Sequence, residues 1–206
     1  MAEVAAILLA AGSASRFRAA GGEYSTKLAA PLAGKPLVRH AAEAALASRA
    51  RPLVVVTGHE QAAVEAALAG LEVRFVHNAA YRDGLASSLK AGVAALPESA
   101  DGALILLGDM PAVTPALIDR LIAAFDQRPD ALAAAPVVGG RRGNPALLAR
   151  ALFAAVAELG GDEGARKLLD GAAPERMIEV DASGFGASLD VDTPLALAEA
   201  HRLLEK

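Results

Sequence analysis

Short apolar runs of strand length recur along the chain, at Val4–Leu9, Leu53–Thr57, Val73–His77, Ala103–Leu107, Leu132–Val137, Met177–Val180 and Ser188–Val191. Helical spacing of apolar residues separates the first five, over Leu37–Ser48, Gln61–Ala69, Ser88–Leu96 and Pro115–Gln127. It returns at Leu148–Leu159, Ala165–Asp170 and Pro194–Leu204. Strands separated by helices long enough to cross a sheet can pair in parallel, which restricts the chain to the α/β class. Right-handed crossovers then bring the carboxyl ends of the strands to one edge, where open α/β sheets bind ligands. Thr114-Pro115 and Thr193-Pro194 each read as a capping hydroxyl followed by proline in the first helical turn.

The residues expected at that edge are chemically distinctive. Val4–Leu9 runs into Ala10-Ala11-Gly12-Ser13-Ala14-Ser15-Arg16, and Lys27 follows before the next apolar segment. A turn of small residues exposes backbone N–H groups, and two cations beside it suit a polyphosphate. The loop lacks both the Gly-Lys-Ser/Thr ending of a P-loop and the Gly-x-Gly-x-x-Gly of a dinucleotide fold. Ala103–Leu107 ends in Gly108-Asp109-Met110-Pro111, which sets one carboxylate where a strand meets its loop. Thr114 already supplies a cap for the following helix, so Asp109 is read as a ligand for a hard cation rather than as a capping group. Asp190 and Asp192, two residues apart, face one side if their segment is a strand. Cations and carboxylates together point to magnesium–nucleotide chemistry.

Composition narrows the ligand. The chain has 206 residues, enough for one sizeable domain over residues 1–206, and its net charge is −4 with 3% aromatic residues. It therefore lacks the broad basic surface and the stacking platform that nucleic-acid binders use, and a small anionic ligand is expected instead. No cysteine is present, which excludes disulfides, thiolate nucleophiles and iron–sulfur clusters. His40 and His201 fall in helical patterns and His59 in a turn, without a partner at metal-ligand spacing. No apolar stretch nears the roughly 18 residues that a membrane span requires, and the opening Met1-Ala2-Glu3 has no basic leader. A cytoplasmic protein with no membrane and no nucleic-acid partner is the expectation.

Leu9-Ala10-Ala11-Gly12-Ser13-x-Ser15-Arg16, with a later lysine, Pro31-Leu32 and Gly34-Lys35-Pro36-Leu37, resembles the signature of the MobA-like nucleotidyltransferases. Further ordered motifs resemble its molybdenum cofactor cytidylyltransferase branch: His77-Asn78, Tyr81, Gly84-Leu85-x-Ser87-Ser88-Leu89, Gly108-Asp109-Met110-Pro111, Arg142-Gly143-Asn144-Pro145, Gly161-Asp162-x-Gly164-Ala165-Arg166 and Asp190-Val191-Asp192-Thr193-Pro194. The resemblance implies a three-layer, Rossmann-like α/β nucleotidyltransferase fold, its mostly parallel sheet of about seven strands including one antiparallel strand. It also implies transfer of CMP from CTP to the phosphate of molybdopterin-bound molybdenum, with release of pyrophosphate. CTP and molybdopterin–molybdenum would be the substrates, Mg2+ the cofactor, and a molybdenum hydroxylase a transient client.

By the same resemblance Arg16, Lys27 and Asp109 are catalytic, and Asp109 with Asp192 holds the metal. The nucleotide falls to Leu9, Ala10, Ala11, Gly12, Ser13, Arg16, Lys27, Asn78, Gly84, Ser87 and Ser88, and the acceptor to Arg142, Asn144 and Arg166. Guanylyl-transferring relatives tend to carry Gly where this chain has Ala11, whose methyl would narrow the base slot toward a pyrimidine. One departure stands out: the lysine of the signature usually follows its arginine by about four positions, whereas here Ala19–Thr26 intervenes and Arg18 is an alternative cation. Ser87 as a helix cap and Lys27 as a solvated loop residue are the competing readings of those two positions. A nucleotidyltransferase for a sugar phosphate or other small phosphate, and a non-catalytic cofactor-binding chaperone, remain the alternatives for the whole chain.

Overall fold

The apolar run that begins at Val4 forms strand β1 (Val4–Ala10), every residue of which is buried. The computed structural model describes residues 1–185 and 189–204. In chain order β1 is followed by α1 (Ser15–Ala19), β2 (Pro31–Leu32), β3 (Lys35–Pro36), α2 (Leu37–Leu46), β4 (Leu53–Thr57), α3 (Gln61–Ala67), β5 (Arg74–His77) and α4 (Leu85–Ala94). Then come β6 (Gly102–Leu107), α5 (Pro115–Asp126), β7 (Ala133–Val138), β8 (Arg141–Arg142), β9 (Ala146–Ala149), α6 (Phe153–Ala157), α7 (Ala165–Gly171), β10 (Met177–Asp181) and α8 (Pro194–Leu204).

The main sheet runs β10-β7-β9-β6-β1-β4-β5, with the short β8 paired to β7, and β2 and β3 form a separate hairpin. β1 lies parallel to both β4 and β6. β9 is antiparallel to its neighbours β6 and β7, and the short β8 is antiparallel to β7, so the second half of the sheet carries two reversed strands where the resemblance implies one. Side chains of β1 alternate between the layers: Val4, Ala6, Leu8 and Ala10 pack with α2, α3 and α5, whereas Ile7 and Leu9 pack with α4, α6 and α7. Helices on both faces explain why the central strands are apolar throughout instead of alternating with polar residues. The result is a three-layer α/β fold. Thr114 Oγ1 accepts from the Leu117 N–H and Thr193 Oγ1 from the Ala196 N–H, so both expected caps are present.

Two expectations are corrected. Leu148–Leu159 is not one helix: Ala146–Ala149 is strand β9, and α6 begins only at Phe153. Alanine and leucine favour helices, but this segment lies between two strands whose ladders it completes, with Ala146 opposite Ile105 and Ala149 opposite Gly102. Arg150 marks the end by donating to the Ala100 and Pro97 carbonyls. The expected strand Ser188–Val191 begins outside the described residues, and residues 189–191 form no strand. There the Val191 N–H donates to the Asp109 carbonyl at 2.9 Å instead of joining a ladder. No helix among the described residues is long and apolar enough to cross a membrane.

Candidate active site

Register places the loops at one rim. Leu9 of β1 lies opposite Val56 of β4 and Leu107 of β6, so the segments after all three strands emerge side by side. Those after β1 and β6, together with the loop after β5, border a cleft of about 1110 Å³ whose other wall comes from residues near positions 138–144 and 162–166. The first loop turns at Ala14, which adopts a left-handed conformation (φ 52°) before α1. Phe17 anchors α1, being 2% exposed, and burial of such a ring stabilises by roughly 2 kcal/mol. The segment then doubles back, with the Gly22 N–H on the Phe17 carbonyl at 3.0 Å. Buried Thr26 starts a short 3-10 turn by accepting from the Leu28 N–H at 3.3 Å. The added residues are thus absorbed in a fold-back, and Lys27 arrives at the cleft despite them.

The Lys27 ammonium sits between two carboxylates, 2.7 Å from Asp109 Oδ2 and 2.7 Å from Asp192 Oδ1. Arg16 reaches the second Asp192 oxygen at 2.5 Å. Asp192 is brought there by the Val191–Asp109 backbone bond and by docking of α8, whose Ala200 packs with Leu32, Leu37 and Val191. Burial acts to lower the Lys27 pKa, but the charge and hydrogen bond of Asp109, joined by Asp192, outweigh it and hold the ammonium above its ordinary value. The hydrogen bond from Lys27, against some opposing burial, and then the Lys27 and Arg16 charges hold Asp192 below the usual carboxylate range. Asp109 Oδ1 is buried and has no hydrogen-bond partner among the described residues.

Those two carboxylates suit a hard divalent cation. Such an ion takes one or two carboxylates and completes its shell with water and phosphate oxygens. The unserved Asp109 oxygen, and the convergence of Asp109 and Asp192 on a single cationic centre, fit that donor set. Among the described residues no cluster of three or more His, Cys, Asp or Glu offers a complete protein cage, so a substrate would have to supply the rest. The histidines are placed structurally: His40 Nε2 pairs with the Leu32 carbonyl at 2.9 Å, and His201 Nδ1 accepts from the Ala33 N–H at 3.1 Å.

Of the expected nucleotide residues, Leu9, Ala11, Gly12, Ser13, Arg16, Lys27, Gly84 and Ser88 border the cleft, whereas Ala10, Asn78 and Ser87 do not. Asn78 is buried, donates to Ser87 Oγ at 2.8 Å and Ser88 Oγ at 3.0 Å, and accepts from the Ala80 N–H. Its amide therefore clasps the loop after β5 to the start of α4. Ser87 does not cap that helix through an N–H; its hydroxyl donates to the Gly84 and Ala80 carbonyls. Gly84 has φ +99° and a Cβ there would stand 2.3 Å from the Gly161 carbonyl. It lets the 160–164 loop close against α4, where the Ala86 N–H donates to Gly161. Gly58 likewise admits Ala11, since a Cβ on Gly58 would lie 2.9 Å from the Ala11 methyl.

Arg142, Asn144 and Arg166 all border the cleft. Arg142, however, is engaged by Glu179 at 2.7 Å and Asp170 at 3.4 Å, which ties the 139–144 loop to β10 and α7. Arg82 and Arg141, which belong to none of the sequence motifs, border the same space. Arg82 lies 5.5 Å from the Tyr81 ring centre, a cation–π distance. The only signal for either was an arginine beside a motif at the ligand edge.

Residues 6–177 match the family model described as the MobA-like NTP transferase domain. A nucleotidyl transferase structure from Methanothermobacter is 28% identical, covers 98% of each chain and superposes with a TM-score of 0.83. The manganese complex of Rv0371C from Mycobacterium tuberculosis H37Rv is 25% identical, covers 97% of this chain and 98% of that one, and has a TM-score of 0.74. The bifunctional protein GlmU of Syntrophotalea carbinolica is 34% identical over 125 residues. That match takes in 61% of this chain and 26% of the relative, so the chain spans about a quarter of the curated protein's length.

Proposed function

The chain belongs to the MobA-like NTP transferase family, and from that premise we propose that it transfers CMP from CTP to the phosphate of the molybdopterin-bound molybdenum cofactor, releasing pyrophosphate. The observation that carries the reading is the convergence of Arg16, Lys27, Asp109 and Asp192 on one cleft at the carboxyl edge of the sheet. A phosphate oxygen of the acceptor attacks the α-phosphorus of CTP as the bond to the β-phosphate breaks. Such a displacement depends on positioning and charge neutralisation rather than on a protein nucleophile.

Each residue has a part in that transfer. The Gly12 and Ser13 amides and Arg16 hold the triphosphate, and Lys27 neutralises the departing pyrophosphate. Asp109 and Asp192 would hold a magnesium ion, which when bound would offset the charge that builds on the phosphate oxygens. The manganese found with a relative of 25% identity supports a divalent ion in this fold. Ala11, with its methyl against Gly58 at the cleft wall, favours the smaller pyrimidine base. Asn144 and Arg166 receive the anionic, hydrogen-bond-rich acceptor, with one domain over residues 1–206 serving both substrates.

The deciding experiment measures pyrophosphate release with CTP, GTP, UTP and ATP in turn, with magnesium and molybdopterin–molybdenum present. Release with CTP alone is expected. Efficient use of GTP would overturn the base assignment. Release only when a sugar phosphate replaces the molybdenum acceptor would overturn the acceptor.

A further inference from the structure

The two carboxylates assigned to the metal are bridged here by a side chain of the protein itself. We infer that Lys27 is a stand-in for the divalent ion: its ammonium occupies the metal seat between Asp109 and Asp192 and yields it when ion and nucleotide arrive together. The inference rests on the metal reading proposed above and deepens it.

Three observations carry it. Asp109 Oδ2 and Asp192 Oδ1 both face the one ammonium at 2.7 Å, so their nearest oxygens point at a common centre, as ligands of one ion do. The compensation is incomplete, because Asp109 Oδ1 is buried without a partner among the described residues. A finished structural ion pair serves the remaining lone pairs of its carboxylate, since buried unserved oxygens are costly. Lastly, Arg16 holds the outer Asp192 oxygen through a side chain that is 79% exposed, so that second cation can leave without disturbing packing.

The consequence is coupling. An ion that takes both oxygens displaces an ammonium only 12% exposed, and a cation left there without a counter-charge is strongly disfavoured. The four-carbon lysine stem can swing to a new anion, and the triphosphate entering beside Gly12 and Arg16 is that anion. Metal alone therefore competes with Lys27, whereas metal with nucleotide does not. The two ligands assist one another, with a coupling in the range of about 5- to 150-fold usual for linked sites.

The test titrates the full chain with Mn2+ alone and reads the free-ion signal by electron paramagnetic resonance. Lys27→Met, which keeps the length of the stem and removes the charge, is expected to bind Mn2+ roughly tenfold or more tightly than the wild type. Equal or weaker binding by the variant would overturn the inference. Acylation of wild-type lysines, read by mass spectrometry, needs no variant: labelling of Lys27 should rise with saturating Mn2+ and fall again once CTP is added. Labelling that Mn2+ leaves unchanged would also overturn it. Asp109→Asn in the same titration separates the two readings, because undiminished Mn2+ affinity there would remove the metal seat itself, whatever Lys27 does.

Discussion

The Val191 N–H donates to the Asp109 carbonyl across 2.9 Å, and this one backbone bond sets the two candidate metal ligands beside each other. Asp109 lies in the turn just after the central strand β6, whereas Asp192 stands just before the last helix, whose Ala200 is buried against Leu32 and Leu37. The acidic pair is therefore only as well placed as the docking of α8. That relation underlies the first prediction.

Asp109→Asn should slow pyrophosphate release by roughly 100-fold or more, the usual loss when one electrostatic partner of a charged transition state is removed. Folding should be little changed, since the substitution is isosteric and the Asp109 backbone carbonyl still receives Val191. Steady-state kinetics beside a thermal melt checks both halves. A variant with wild-type turnover would take Asp109 out of the mechanism.

Ala11→Gly should relax the choice of base. The Ala11 methyl packs against Gly58 and borders the cleft, and one methyl group in a pocket discriminates by about 10-fold or somewhat more. The ratio of kcat/KM for GTP to that for CTP should rise by roughly that factor. An unaltered ratio would show that the base is chosen elsewhere.

Gly84→Ala should destabilise the protein without touching a charged group. The position combines φ +99° with a backbone carbonyl 2.3 Å from the added Cβ, and strain of this kind costs about 1–3 kcal/mol. Urea unfolding should show a lower midpoint, and hydrogen exchange should be faster in the 160–164 loop that rests on this glycine. Wild-type stability would mean that the loop is free to move away.

Asp126 should contribute to the acid limb of stability. It accepts from Arg49 at 2.7 Å and from the Ala2 N–H at 2.6 Å, and these bonds, the one from Arg49 foremost, hold its carboxyl below the ordinary value. A depressed folded pKa means that the contribution is complete above the unfolded value of 3.8 and is lost as pH falls through the folded one. Asp126→Asn should therefore be less stable than the wild type at neutral pH, with the difference shrinking in strong acid. Parallel melting curves at both pH values would detect it.

Much of the site was legible in the residues. Asp109 follows a buried run, and a carboxylate at the end of a parallel strand has few structural duties. Arg16 and the small-residue turn could be read in the same way, because strand polarity alone brings them to the ligand edge. Asn78 and Ser87 were harder, since a polar side chain in a loop looks alike whether it meets a ligand or clasps its own backbone. Arg142 poses the same difficulty, as its partners Glu179 and Asp170 are remote in sequence.

The alternation of apolar runs and helical spacing determined the layers, the parallel central strands and the edge at which chemistry would occur, because these follow from local periodicity and from the handedness of crossovers. Tertiary structure alone decided that Ala146–Ala149 is a strand, that the lengthened loop folds back on Phe17, and that Lys27 rests between Asp109 and Asp192. The reason is physical: periodicity reports which face of a segment is buried, whereas the partner that buries it, or neutralises its charge, is chosen by contacts between residues far apart in the chain.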